Sequence, residues 1–155
     1  QGKIPYRMDK RIREWCFGSF DGAYDGDLFM GLIPRIFNVD HVHQLSYAEL
    51  AEGLVEVDTA GWAEGWEKLS GRIKEGFETI AKEMEEQGGG NALVVSHGMT
   101  IGTIVYLING MHPHGLDNGS VTILEYENGQ FTVQVVGDRS YRELGREKME
   151  ETNNQ

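Results

Sequence analysis

Positive charge is scarce in this sequence: 14 Lys and Arg stand against 25 Asp and Glu, a formal charge of −11 at pH 7. Nucleic acids and anionic membranes are polyanions that reward clustered cations, so the charge argues against a general affinity for either, and an anionic substrate needs a local basic pocket. Cysteine is nearly absent. Cys16 is the single thiol and cannot form an intramolecular disulfide; with no charged-then-apolar leader, a reducing cytoplasm is the expected setting. No apolar run approaches the roughly 20 residues a membrane span needs. An initiator Met is also missing: the chain opens Gln1-Gly2-Lys3 and reads as an excerpt.

What is present is ordinary for one globular domain: 155 residues, 39% hydrophobic, 25% charged, and only 3 Pro. Residues 4–22 suggest a short strand running into an irregular loop, and 27–37 a short helix stopped or kinked by Pro34. Ser46 with Glu49 has the form of a capping box opening a helix over 46–53. These short pieces read as an insertion, about 23–58, rather than core. Over 59–87, Trp62, Trp66, Leu69, Ile73, Phe77, Ile80 and Met84 recur at steps of four and three, which predicts a long amphipathic helix halted by Gly88-Gly89-Gly90. Ala92 to Val95 is an apolar run without alternation, the pattern of a strand buried on both faces of a parallel sheet. A buried helix over 100–109 follows. Asn128-Gly129 between two alternating stretches predicts a hairpin. The polar tail 146–155 is expected to fray. The fold class is therefore α/β, with a parallel centre and an antiparallel edge.

Ser96-His97-Gly98 interrupts the apolar text where the expected strand gives way to a helix. In open α/β sheets ligands gather at that point, and free helix amides there attract anions. His97 is thus either a ligand for an anion or a buried histidine with a satisfied hydrogen bond. Ser96 as an esterase nucleophile is disfavoured, because Val94 stands where a nucleophile elbow needs glycine. Glu14, among Arg11, Arg13 and aromatics, is either a carboxyl for acid–base work or one half of a surface ion pair. The pairs His41/His43 and His112/His114 offer weak metal-ligand spacing, with no third and fourth ligand in view; a metal-binding protein is the reading they would support.

Taken together, Ile12-x-Glu14-x-x-Phe17-Gly18-x-x-x-Gly22, a long helix, Val94-Val95-Ser96-His97-Gly98, and Asn118-Gly119-Ser120-Val121 resemble the histidine phosphatase superfamily, the phosphoglycerate mutase-like family, over about residues 5–145. The resemblance implies a three-layer α/β/α fold, mostly parallel, with helices on both faces and a terminal antiparallel hairpin. It implies phosphoryl transfer through a phosphohistidine, with no cofactor and no metal. In that pattern Glu14 protonates the leaving oxygen, and His97, Gly98 and Met99 hold phosphate. Residues 23–58 cover the pocket, with Phe29, Met30, Ile33, Phe37 and Tyr47 as wall. The family's nucleophile lies in an Arg-His-Gly motif on its first strand, and this sequence contains no Arg-His-Gly.

Alone, the chain is therefore expected to be inactive. The missing N-terminal strand is expected as a separate chain or as a swapped element of a homodimer. Phosphomonoester hydrolysis is favoured over mutase activity, because 23–58 offers only Arg35 as a cation for a highly charged acid. An inactive, truncated domain that binds a ligand or partner is the non-enzymatic alternative.

Overall fold

A computed structural model describes residues 5–24, 26–113 and 115–153. Ile4, the start of the first expected strand, and His114 lie outside the described residues. The element order is α1 (Ile33–Phe37), α2 (Tyr47–Val57), α3 (Trp66–Glu86), α4 (Gly98–Asn109), β1 (Val121–Glu127), β2 (Gln130–Asp138) and α5 (Ser140–Asn153), with short 3₁₀ turns at Lys10–Ile12, Gly18–Phe20 and Val42–Gln44.

The core forms where α3 and α4 meet α2 and the segment leading into it. Leu69, Ile73 and Phe77 of α3 are buried with Ile104 of α4 and Leu50, Ala51 and Leu54 of α2. The α3 positions recur at steps of four, so one stripe faces inward while Lys74, Glu78 and Lys82 pair on the outer face. Residues 23–58 are not a detachable insertion: Leu28, Ile33, Leu45 and Tyr47 belong to the same core cluster. Burying large side chains from that segment contributes about 1.5–3 kcal/mol each, which is why it packs instead of floating.

Four expectations change in detail. Residues Gly26–Leu32 form a π-helical turn that tightens into α1. Pro34 does not stop that helix, since it stands in the first turn of α1, where a missing N–H is tolerated. The long helix begins at Trp66 rather than Thr59, because the Asp58 carboxylate accepts the amides of Ala60, Trp62 and Ala63 at 2.7–2.8 Å and winds 58–63 into a turn. Trp62 is consequently exposed. Residues 146–153 of the expected frayed tail belong instead to the exposed helix α5, preceded by Asp138, whose carboxylate accepts the Ser140 amide at 2.8 Å.

The largest departure is at 92–95. The run belongs to no strand, and Leu93 and Val95 are 92% and 81% exposed instead of buried. The only sheet among the described residues is the antiparallel pair β1–β2. No parallel neighbour lies alongside 92–95 or 5–22 among the described residues, and without one an apolar strand has nothing to pair with or be buried by. The hairpin forms as its sequence requires, with Asn128 at φ 52° and Gly129 at φ 81°, both in the left-handed region a two-residue turn demands.

Candidate active site

The site begins at the N-terminus of α4. His97 is its N-cap, in extended conformation, and its carbonyl accepts the first helical bond from Ile101 at 2.9 Å. The amides that follow are left pointing out of the helix and carry the positive end of its dipole. Glu14 meets them. Its Oε2 accepts the Met99 amide at 3.2 Å, and its Oε1 accepts the Thr100 amide at 3.0 Å and the Thr100 hydroxyl at 3.1 Å. Oε1 also accepts the amide of Trp15 at 3.0 Å. The anion held by the Met99 amide in this structure is thus the Glu14 carboxylate.

Glu14 is far from α4 in sequence, so something must hold its loop there. Ser96 Oγ donates to the Ile12 carbonyl at 2.7 Å, and Thr100 Oγ1 to the Arg13 carbonyl at 2.7 Å. From the other side Arg72 of α3 donates to the carbonyls of Arg11, Arg13 and Glu14 at 2.8–3.0 Å. Trp15 anchors the next residue, its Nε1 donating to Thr103 Oγ1 at 3.0 Å. The Arg72 guanidinium is itself held by Glu64, which is 3% exposed and also paired with Arg13 at 2.5 Å. Burial acts to raise the Glu64 carboxyl, but the hydrogen bond and charge of Arg72, with the charge of Arg13, outweigh it and hold the group below its ordinary value.

An aromatic wall stands beside this carboxylate. Tyr47 contacts Trp15 edge-on at 5.8 Å between ring centroids and stacks on His112 at 4.5 Å. Its hydroxyl donates to the Pro113 carbonyl at 3.3 Å and lies where a Cβ on Gly102 would be, so only glycine fits that position of α4. Burial, and after it the negative charge of Glu14, pushes the Tyr47 phenol up to about 12. A cavity of about 290 Å³ opens on Glu14, walled by Trp15, Phe17, Phe20, Leu28 and Phe29, with Asp21 as its other charged group.

The expected residues distribute as follows. Glu14 and the 97–99 turn converge, joined by the contacts of Glu14 with Met99 and Thr100. His97 is exposed, which removes the reading of it as a buried core histidine. Of the wall residues, Phe29 lines the cavity and Tyr47 flanks it, whereas Ile33 is wholly buried in the core, Phe37 packs against Gly53 and Met30 points to solvent. His112 is an aromatic-stacking partner of Tyr47 and Tyr106. His41 and His43 join no group of three metal-ligating side chains among the described residues.

Sequence reading missed the holding residues: Ser96 as a loop clamp, and Thr100, Arg72 and Glu64. Thr100 was within reach, as a hydroxyl residue in the first turn of a helix suited to accepting or donating at its end. Arg72 and Glu64 gave no signal, since a charged pair eight apart reads as solvated surface.

No curated protein sequence matches the chain. Among solved structures, the phosphoglycerate mutase from Bacillus anthracis str. Sterne superimposes with a TM-score of 0.85 at 33% sequence identity, covering 93% of this chain and 65% of that one. The chain therefore spans about two thirds of that protein's length. The family model described as histidine phosphatase superfamily (branch 1) matches residues 1–139. With that span matched, and with Glu14 set against the helix that follows Ser96-His97-Gly98, the chain belongs to the histidine phosphatase superfamily.

Proposed function

We propose that these residues form the acid and phosphoryl-holding part of a phosphomonoester hydrolase that works through a phosphohistidine, whose nucleophilic histidine is not among the 155 residues. The observation that carries this is the convergence of Glu14 with the 97–100 turn. Glu14 Oε1 takes the Trp15 and Thr100 amides, while Oε2 takes only the Met99 amide, and the residue lines the cavity, so Oε2 would carry the proton for a leaving alkoxide. His97 at the helix N-terminus would steady the equatorial oxygens, with the Gly98 amide beside it, since the Met99 amide is taken by Glu14. Water would then cleave the phosphoenzyme. No residue here requires a metal or cofactor for those steps.

The cavity favours hydrolysis over mutase chemistry as a substrate reading. Trp15, Phe17, Phe20 and Phe29 offer apolar surface, and the charged groups at the wall are Glu14 and Asp21, both acidic. A small, highly charged acid would meet repulsion there, whereas an apolar or aromatic phosphomonoester would be desolvated favourably.

The chain alone is proposed to be inactive, so the test uses the protein as its gene encodes it. Vanadate-sensitive hydrolysis of an aryl phosphate should fall by about 10²–10⁴ in kcat/KM with His97→Ala. Equal rates for wild type and variant would remove His97 from the mechanism. Saturable turnover by the 155-residue chain itself, with retained dependence on His97, would overturn the external nucleophile.

A further inference from the structure

The cavity of about 290 Å³ beside Glu14 takes Phe17, Phe20, Asp21 and Gly22 of its wall from one short loop. Within that loop Gly18–Phe20 is a single 3₁₀ turn, with the Asp21 amide on the Gly18 carbonyl at 3.1 Å, and such a turn has poorer hydrogen-bond geometry than an α-helical one. What holds it is a carboxylate from far along the chain. Asp58 Oδ1 accepts the Ser19 amide at 2.7 Å, and Ser19 Oγ accepts the Thr59 amide at 3.3 Å in return. Gly18 shows how closely the two pieces meet: it is buried at φ 63°, in the left-handed region, and a Cβ there would overlap the Asp58 carboxylate.

The Asp58 carboxylate is itself fixed. Ala60 donates to the same oxygen at 2.8 Å, and Trp62 and Ala63 donate to Oδ2 at 2.7 Å, so both oxygens are held by charge-assisted bonds and neither can swing free of Ser19 without losing them. Further along, Glu64 closes the same segment onto the other end of the loop, its amide donating to the Cys16 carbonyl at 3.4 Å while its carboxylate holds Arg13 and Arg72. Residues 58–64 thus brace the acid through Glu64 and the cavity wall through Asp58. We propose that Asp58 is a positioning residue for substrate selection: by holding Ser19 it keeps Phe17 and Phe20 at the wall, and so sets the bulk of leaving alcohol that fits beside Glu14. This inference rests on the phosphomonoesterase reading of the site. It assigns selection to a carboxylate outside the residues that line the cavity.

The test compares ethyl phosphate with 2-phenylethyl phosphate in the full gene product, two alkyl esters whose leaving oxygens need the same protonation and which differ in apolar bulk. The wild type should prefer the larger ester. Ser19→Pro removes the one loop amide that Asp58 holds, at an exposed position where the fixed φ of proline suits a tight turn. Asp58→Ala removes the carboxylate. Each should lower the preference, read as the ratio of the two kcat/KM values, by about tenfold through a raised KM for the larger ester, with ethyl phosphate changed by less than about threefold. Glu14→Gln should instead reduce both esters alike and leave the ratio in place, which separates selection from proton delivery. Circular dichroism establishes that each variant is folded, and Ser19→Pro carries the test by itself if Asp58→Ala does not fold. A wild type active on both esters with a ratio that neither variant moves, or a loss shared equally by both esters, would overturn the positioning role. A wild type active on neither would overturn the phosphomonoesterase reading, and this inference with it.

Discussion

Arg72 is the residue on which the placement of Glu14 most depends. Its five donors are divided between the Glu64 carboxylate and three backbone carbonyls of residues 11–14. Arg72→Met keeps much of the side chain's length but leaves Glu64 buried with Arg13 as its remaining ion-pair partner. Breaking such a pair costs about 3–5 kcal/mol, so urea unfolding should show a loss of about 3 kcal/mol; a loss below about 1 kcal/mol would show that the clamp does not stabilise the loop. Tyr47 offers an independent reading of the same neighbourhood. Its phenol is pushed up to about 12 by burial and by Glu14, so its neutral form stabilises the fold below pH 10 and that contribution is lost as pH rises through 12. Absorbance at 295 nm should show an ionisation step near pH 12, and Tyr47→Phe should remove it.

At the scale of elements, α4 must approach Tyr47 closely and α2 must start at Ser46. Gly102→Ala should gain up to about 1 kcal/mol from helix propensity, but the added Cβ would overlap the Tyr47 hydroxyl. Overpacking of this kind costs about 1–3 kcal/mol, so a net loss is expected. The same substitution in a Tyr47→Phe background should lose less, because the atom in the way is gone; identical losses in both backgrounds would disprove the contact. Ser46 accepts the Glu49 amide while the Glu49 carboxylate accepts the Ser46 amide at 2.7 Å, and Ser46→Ala should lower stability by about 1 kcal/mol in thermal unfolding.

Elements governed by local chemistry were legible in the sequence for this reason. The Ser46/Glu49 box, the stripe Leu69-Ile73-Phe77 and the Asn128-Gly129 hairpin each carry their own cause. What depended on a distant partner was not legible. The run 92–95 has the residues of a buried strand, yet a strand requires a paired neighbour, and none lies beside it among the described residues, so only Val94 packs on the core. Trp62 fits the α3 periodicity but falls to a turn wound by Asp58, which local spacing does not announce. At the site, His97 stood out as a polar residue in apolar text and Glu14 as a carboxyl among arginines and aromatics, whereas Arg72 and Glu64 gave no such signal.

For the molecule as a whole, acid should be destabilising in a defined window. Asp9 is held at about 2, chiefly by its hydrogen bond from the Arg11 side chain. At Asp58 burial acts upward, but donations from Ala63, Ser19, Ala60 and Trp62 hold the carboxyl well below its usual range. Glu64 is lowered as described. Carboxyls with depressed folded values contribute stability above their unfolded values, near pH 4, and lose it as pH falls. The urea midpoint should therefore drop between pH 5 and 2, with Asp9 responsible for about 1 kcal/mol after solvent screening. Asp58→Asn should lower stability at pH 7 and flatten that slope; a slope unchanged by the variant would show the turn is not held by charge.

The claim that Glu14 supplies the proton to the departing oxygen is tested most directly by leaving-group dependence in the full gene product. A p-nitrophenolate leaves without help, whereas an alkoxide must be protonated as the bond to phosphorus breaks. Glu14→Gln should reduce kcat/KM for an alkyl phosphate by about 10²–10³ while changing that for p-nitrophenyl phosphate by less than about tenfold. An equal reduction for both substrates would contradict the account.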